Sequence, residues 1–158
     1  MSGSRYKVVV TDIDGTLTDR EWRLSPEAVL AVRRLEEGGV RVGLASGNPL
    51  CVVKTVARYL GCTGPLIAEN GCAVEVNGEL YTCGDRGAIT RVVEELAREF
   101  GDRLVHAWTN RYRFVDWALR RTVPREEVAR VVRRFPGVVL LDSGFAYHIH
   151  PAGVDVVS

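Results

Sequence analysis

Two aspartates stand one residue apart near the start of the chain, in the segment Asp12-Ile13-Asp14-Gly15. A short β-branched run, residues 6–11, precedes them and predicts a strand buried on both faces. Because residues i and i+2 of an extended segment point the same way, we expect the two carboxylates to project together. Two like charges this close are unfavourable without a cation, and Mg²⁺ prefers such oxygen ligands. A carboxylate can also attack phosphorus while a second acid protonates the leaving oxygen, although a bare Asp-x-Asp pair is also compatible with a solvated acidic turn.

The first half of the chain alternates strands with helices. Ser25 followed by Pro26 is typical of a helix start, and Gly38 with Gly39 ends that helix. The predicted strands cover residues 6–11, 40–45 and 65–68, and a second helix runs from Asn48 to Gly61. Strand–helix–strand–helix–strand at this spacing predicts a parallel, Rossmann-like sheet in an α/β fold.

The second half of the chain has a different pattern. Asn77-Gly78 between two short apolar segments predicts a β-hairpin. A helix over about 89–100 follows, then strands at 105–108 and 113–119 around the turn 109–111. A further helix starts at Pro124, and the last two strands are predicted at 138–141 and 145–149. Helix–strand–strand, twice over, predicts a small α+β unit at about 82–152.

The string from Asp12 to Thr18 resembles motif I of the haloacid dehalogenase superfamily. The second predicted strand ends in Ser46-Gly47-Asn48, which looks like motif II. The resemblance implies that Asp12 is a nucleophile, that Asp14 is its acid/base partner, and that both hold Mg²⁺. It also implies that Ser46, Gly47 and Asn48 bind the phosphoryl oxygens, where a following helix N-terminus favours an anion. A helix cap is the alternative for these three residues.

The resemblance extends to the α+β unit, which corresponds to the cap that such enzymes insert after the third core strand. It implies a core domain at residues 1–81, a cap at 82–152, and a return to the core at 153–158. The cap looks like that of archaeal phosphoglycolate phosphatases and Cof-type relatives. Asn110 and Arg111 are candidates for the substrate's carboxylate, which suits Arg, and a surface loop is the alternative.

Two further polar sites leave alternatives open. Asn70, in an Asn-Gly that follows the third strand, is a candidate substrate contact in such phosphatases, and a plain turn is equally compatible with it. His148 and His150 could share one strand face as metal ligands, although packed or exposed strand residues are the stronger interpretation.

The chain departs from the family's pattern after the α+β unit. Similar enzymes continue with Asp-Lys-Gly, whereas here Asp155 is followed by Val156, and the later Gly-Asp-x-x-Asn-Asp motif is absent. The missing Lys would neutralise the charge of Asp12 and the phosphate, and the missing acids would complete the Mg²⁺ shell. A sheet without its later strands would also leave an open edge. We therefore expect weak catalysis and a homo-oligomer.

Composition limits the remaining possibilities. The net charge is +1, which favours neither nucleic acid nor a membrane surface as partner, and the hydrophobic fraction of 46% can fill a core. The four cysteines lack zinc-type spacing. With no signal peptide or apolar span of roughly 18–20 residues, we expect a cytoplasmic location.

These observations predict a Mg²⁺-dependent hydrolase of small phosphorylated substrates, with a role in carbohydrate metabolism. The favoured activity is phosphoglycolate hydrolysis through an aspartyl-phosphate. One alternative is a sugar-phosphate phosphatase of the same superfamily. Another is a non-catalytic remnant of the fold that acts only by binding or assembly. A phospho-acceptor receiver domain also uses an Asp at a strand end, but the motif I string and the cap argue against it.

Overall fold

The computed structural model describes residues 6–154, which divide into two compact units, one ending at Tyr81 and the other beginning at Thr82. Each unit has its own hydrophobic core. Val156 and the other residues after Val154 lie outside the described part, so the predicted return of 153–158 to the core stays a prediction.

The first unit is a mixed, mostly parallel sheet with two helices. Its elements are β1 (Val8–Asp12), α1 (Pro26–Glu37), β2 (Arg41–Ala45), α2 (Leu50–Leu60), β3 (Leu66–Ala68), β4 (Ala73–Val76) and β5 (Glu79–Thr82). The strand order is β1-β2-β3-β4-β5, where β1, β2 and β3 run parallel and β4 is antiparallel to β3. The predicted α/β fold class with a Rossmann-like parallel core is therefore confirmed.

Local sequence signals set the ends of these elements. The Ser25 hydroxyl accepts a hydrogen bond from the N–H of Ala28 at 3.0 Å, which caps the first turn of α1. Gly61 ends α2 in the left-handed conformation, with φ of +83°. Asn77 and Gly78 both have positive φ, +53° and +85°, as a two-residue hairpin turn requires.

Strand β1 is the outer strand of this sheet, which corrects the expectation that it is buried on both faces. Val8, Val9 and Val10 are 43%, 37% and 43% exposed, because among the described strands β1 pairs only with β2. The core lies one strand further in, where the side chains of Val42 and Leu44 in β2 are buried. A β-branched run predicts a strand, but it does not reveal how many neighbours that strand has.

The second unit packs two helices against a three-stranded antiparallel sheet. Its elements are α3 (Arg86–Phe100), β6 (Trp117–Arg120), α4 (Arg125–Val132), β7 (Val138–Asp142) and β8 (Ala146–Pro151). The strand order is β6-β8-β7. Within the described residues, none of the helices of either unit could cross a membrane, and the cytoplasmic location stays a prediction.

The strand predicted at 105–108 is wrong. Its pairing with β6 is limited to one isolated bridge, His106 to Leu119, and residues Trp108–Tyr112 then form a 3₁₀ turn. The Asn110 side chain is the physical reason. Its amide oxygen accepts from the N–H of Ala118 at 2.8 Å, so this N–H bonds a side chain where a longer strand would pair it with a backbone carbonyl. The Ala118 carbonyl accepts both from the Asn110 amide at 2.8 Å and from the N–H of Ala107 at 3.0 Å.

A buried charged network lies in the second unit. Asp116 is fully buried, with one carboxylate oxygen 2.6 Å from Nη1 of Arg113 and the other 2.9 Å from Nδ1 of His148. Burial alone would raise the pKa of Asp116, but the hydrogen bond with His148 and the charge of Arg113 outweigh it and hold that pKa below its usual range. His150, also in β8, is fully buried too.

Replacing Asp116 with Ala should destabilise the protein by about 3–5 kcal/mol, because the Arg113 guanidinium would stay buried without its carboxylate. Urea unfolding at neutral pH measures this loss. A lowered folded-state pKa means that the stability from Asp116 is present above the unfolded pKa, near 3.8, and is lost as the pH falls through the folded value. Asp102→Ala, at an exposed site, is the matched control, and equal losses in the two variants would contradict the prediction.

Candidate active site

The two motif I aspartates lie where β1 ends and the chain turns away. Asp12 is the last residue of β1 and is paired in register with Ala45, the last residue of β2. The residue after Ala45 is therefore brought to the same end of the sheet, where parallel strands place their ligand sites. Gly15, with φ of +86°, makes the turn, and its N–H donates to the Thr18 hydroxyl at 2.8 Å.

The structure brings Asp14 together with Ser46 and Asn48, although 32 and 34 residues separate them in sequence. The Ser46 hydroxyl donates to Oδ2 of Asp14 at 3.1 Å, and the side-chain amide of Asn48 donates to the same oxygen at 2.9 Å. The backbone N–H of Asn48 also donates to the Ser46 hydroxyl at 3.1 Å. The two side-chain donors converge on one anionic oxygen, so the arrangement can hold negatively charged oxygens.

Asn70 also reaches this region, through close contact with Gly47. A Cβ atom added to Gly47 would lie only 2.8 Å from Oδ1 of Asn70, so a larger residue there would displace the Asn70 side chain. The backbone of Asn70 is tied to the same loop, since its N–H donates to the carbonyl of Ser46 at 3.4 Å. The predicted position of Asn70 facing the site is therefore compatible with this geometry, and its contact with substrate stays a prediction.

The turn that carries Asn70 is strained. Glu69 and Asn70 have φ of +52° and +54°, a conformation that side-chain-bearing residues rarely adopt, and Gly71 continues it with +97°. Glu69 is completely buried, and its N–H donates to the carbonyl of Asn48 at 3.0 Å. Glu69 was not among the residues that the sequence pointed to. A charged residue directly after a strand of buried type was the signal that could have singled it out.

The charge on Asp12 is unfavourable in this setting. Partial withdrawal from water raises the pKa of Asp12, and the neighbouring charge of Asp14 raises it further, while hydrogen bonds from Ile13 and Thr16 oppose the shift in part. A bound cation would relieve the repulsion between the two carboxylates.

The acid pair suits Mg²⁺ in number and type. Among residues 6–154, no group of three or more His, Cys, Asp or Glu side chains could hold a metal ion. Mg²⁺ usually keeps several waters and binds through one or two carboxylates together with substrate phosphate, so a pair of aspartates is a fitting donor set. Asp12 and Asp14 are the residues that would hold it.

The two candidates for carboxylate recognition lie in the second unit and differ in exposure. Asn110 is buried, and its amide bonds the backbone of Ala118 at 2.8 Å through both the oxygen and the nitrogen. Arg111 is exposed, with its guanidinium 5.8 Å from the ring centre of Tyr112. In this conformation Arg111 can meet a ligand directly, whereas Asn110 is occupied within its unit. A substrate contact by either residue stays a prediction.

Comparison with known families shows which family the chain belongs to. The model of the haloacid dehalogenase-like hydrolase family matches residues 9–112, which include both motif I aspartates and the Ser46-Gly47-Asn48 segment. The chain belongs to this family, as the motif resemblance predicted.

Individual relatives are similar to this chain over nearly all of its length. The chain is 41% identical to a phosphoglycolate phosphatase of Pyrobaculum neutrophilum over 155 residues, which are 94% of this chain and 64% of that protein. It is 37% identical to a phosphoglycolate phosphatase of Methanospirillum hungatei over 151 residues, 93% of this chain and 65% of the relative. The crystal structure of Thermoplasma acidophilum 0175 matches with a TM-score of 0.83 and 29% identity, covering 95% and 66% of the two chains. The chain thus spans somewhat less than two thirds of the length of these two phosphatases.

Asp12→Asn should make the fold more stable relative to the unmodified protein as the pH rises from about 3.5 to 7. A raised folded-state pKa means that the stability from this carboxyl is fully present below its ordinary pKa and is lost as the pH rises through the folded value. Asn removes that loss, so the difference in unfolding free energy should grow in favour of the variant. Parallel urea titrations test this, with Glu37→Gln on the exposed end of α1 as control. A pH-independent difference would disprove the electrostatic cost.

Proposed function

We propose that this chain carries the phosphoryl-binding part of a Mg²⁺-dependent phosphomonoesterase, with 2-phosphoglycolate as the favoured substrate. The observation that supports it most is the paired carboxylate end of β1, where the donors of Ser46 and Asn48 converge on an anionic oxygen of Asp14. The two relatives that carry the name phosphoglycolate phosphatase support the choice of substrate.

In the proposed reaction, a carboxylate oxygen of Asp12 attacks phosphorus, and the bond from phosphorus to the leaving oxygen breaks. A protonated Asp14 gives its proton to that oxygen, which leaves as glycolate, and Asp12 becomes an aspartyl-phosphate. Water then attacks the same phosphorus and gives a proton back to Asp14, so inorganic phosphate departs and Asp12 is restored. Mg²⁺ bound to the two aspartates would neutralise charge on the phosphoryl group.

Three residues would hold the phosphoryl oxygens during both steps. The Ser46 hydroxyl and the Asn48 amide already bind an anionic oxygen, and the backbone at Gly47 lies between them. The absence of a side chain at Gly47 admits Asn70 to the same region. Donors fixed before the reaction stabilise charge without having to reorganise.

We further propose that the second unit acts as a cap and that Arg111 recognises the carboxylate of the substrate. Its guanidinium is exposed, and Arg is suited to binding carboxylates through paired hydrogen bonds. Phosphatase activity on sugar phosphates is the second candidate, and a fold that acts only by binding is the third.

Asp12→Asn should abolish turnover, and Asp14→Asn should lower it by roughly two to four powers of ten, as expected for a lost acid/base. The measurement is Mg²⁺-dependent release of phosphate from 2-phosphoglycolate, in a version of the protein completed to the length of its relatives. Glu37→Gln should leave turnover unchanged. If the Asp12→Asn protein kept most of its activity, Asp12 would not be the nucleophile.

A substrate panel should place 2-phosphoglycolate above hexose phosphates in kcat/KM, because the second unit is small and carries an exposed Arg111. Arg111→Gln should reduce kcat/KM for 2-phosphoglycolate and leave hexose phosphates nearly unaffected. A higher kcat/KM for hexose phosphates in the unmodified protein would favour the sugar-phosphate alternative.

The 158-residue chain should self-associate. The exposed valines of β1 form an outer edge without charge or Pro, and such edges pair readily with another chain. Light scattering should show a dimer or larger species, and Val9→Lys should shift it to a monomer. Leu30→Lys, at an exposed apolar position of α1, is the control and should not. A stable monomer of the unmodified chain would contradict the expectation.

A further inference from the structure

Arg111 lies in a turn whose backbone is held by the hydrogen bonds of a buried side chain. The neighbouring Asn110 is only 7% exposed, and its amide accepts from the N–H of Ala118 and donates to the carbonyl of the same residue, both at 2.8 Å. The backbone closes the turn as well, since the N–H of Asn110 donates to Ala107 and the N–H of Arg113 donates to Asn110. Strand β6, which contains Ala118, therefore fixes the backbone beside Arg111.

A buried ion pair holds the chain at a second point, three residues after Asn110. The Arg113 side chain is 4% exposed and pairs with Asp116, which is fully buried. Asp116 in turn bonds Nδ1 of His148 at 2.9 Å, and His148 stands opposite Ala118 in the register of β6 and β8. The hydrogen bonds of Asn110 thus end on β6, and the ion-pair network ends on its neighbour β8.

The turn places two arginines in opposite environments. Arg113 points into the unit and its charge is met by Asp116, whereas Arg111 stays exposed. Within residues 6–154, no carboxylate lies in ion-pair distance of Arg111, so its charge is available to an anion. A buried ion pair contributes little net stability compared with apolar packing, but it can fix one conformation among several.

We infer that Asp116 is a positioning residue, which acts through Arg113 and His148 to hold the Arg111 turn ready for the carboxylate of the substrate. The inference rests on the proposed recognition of a carboxylate by Arg111. A turn whose backbone is fixed before binding loses less conformational entropy when the ligand arrives, so the buried network should raise selectivity for carboxylate-bearing phosphates. None of the three network residues need touch the ligand.

The test compares two ligands that differ only at the recognised group. Ethyl phosphate has a methyl group where 2-phosphoglycolate has its carboxylate, and the ratio of their Kd values measures carboxylate recognition. Calorimetry in Mg²⁺ buffer gives both constants, and an Asp12→Asn background prevents turnover. A charge-assisted hydrogen bond from Arg predicts a ratio of roughly 10 or more in this background.

Four variants separate positioning from general stability. Arg111→Gln should bring the ratio close to one, because it removes the recognising group. Asp116→Asn keeps the shape of the side chain but removes its negative charge. Arg113→Lys keeps the positive charge but removes the guanidinium, which can make paired hydrogen bonds. Each variant should lower the ratio of Kd values at least about threefold. Val128→Ala, in the same core, should lose stability but keep the ratio.

The Kd ratios distinguish failure of the proposed function from failure of the positioning role. If the background protein shows a ratio near one, Arg111 does not recognise a carboxylate, and the proposed substrate and this inference both fail. If the ratio is high and neither Asp116→Asn nor Arg113→Lys changes it, the positioning role is overturned and the proposed function stands. An equal fall in Val128→Ala would also overturn it. Should Asp116→Asn fail to fold by circular dichroism, Arg113→Lys decides.

Discussion

The repulsion between two carboxylates at the end of β1 is the constraint on which the rest of the site depends. Asp14 has its charge offset by the Ser46 hydroxyl and the Asn48 amide, whereas the pKa of Asp12 is raised by partial burial and by Asp14 itself. The fold therefore holds an unfavourable charge in place, which is typical of a residue kept for chemistry and not for stability. A cation and a phosphoryl group are the ligands that would give this arrangement a favourable energy.

The positions of these two carboxylates depend on how the strands of the first unit pair. β1 ends in Asp12 and leads directly to Asp14, but it is itself an outer strand with exposed valines, so its position depends on the parallel register with β2. β2 is anchored by Val42 and Leu44, and it delivers Ser46 to the same end of the sheet. The strained turn at Glu69 and Asn70 adds a third support from the chain after β3.

Local features of this molecule were predictable from sequence, whereas long-range ones were predictable only where a motif marks the end of a strand. The Ser25 cap, the Asn77-Gly78 turn and the strand–helix alternation are each encoded within a few residues. The exposure of β1 depends on which strands are its neighbours, which a β-branched run does not encode. The strand expected at 105–108 is reduced to one bridge, because the side chain of Asn110 takes the N–H of Ala118 that a longer strand would pair with. Motif I and motif II did predict which residues meet, since strand ends in a parallel sheet share one edge.

Asp12 and Asp116 show how environment assigns different roles to one residue type. Withdrawal from water by itself raises the pKa of both carboxyl groups, and Asp14 raises that of Asp12 further. For Asp116, the hydrogen bond with His148 and the charge of Arg113 outweigh the effect of burial, so its pKa is lowered. A carboxylate that is fully paired inside a unit can organise structure, but it has little capacity left to bind an ion. A carboxylate whose charge is opposed by its neighbour gains most from a cation or an electrophile. In the function proposed above, the first unit therefore supplies the group that attacks phosphorus, and the buried charge of the second unit holds the turn of Arg111 in place.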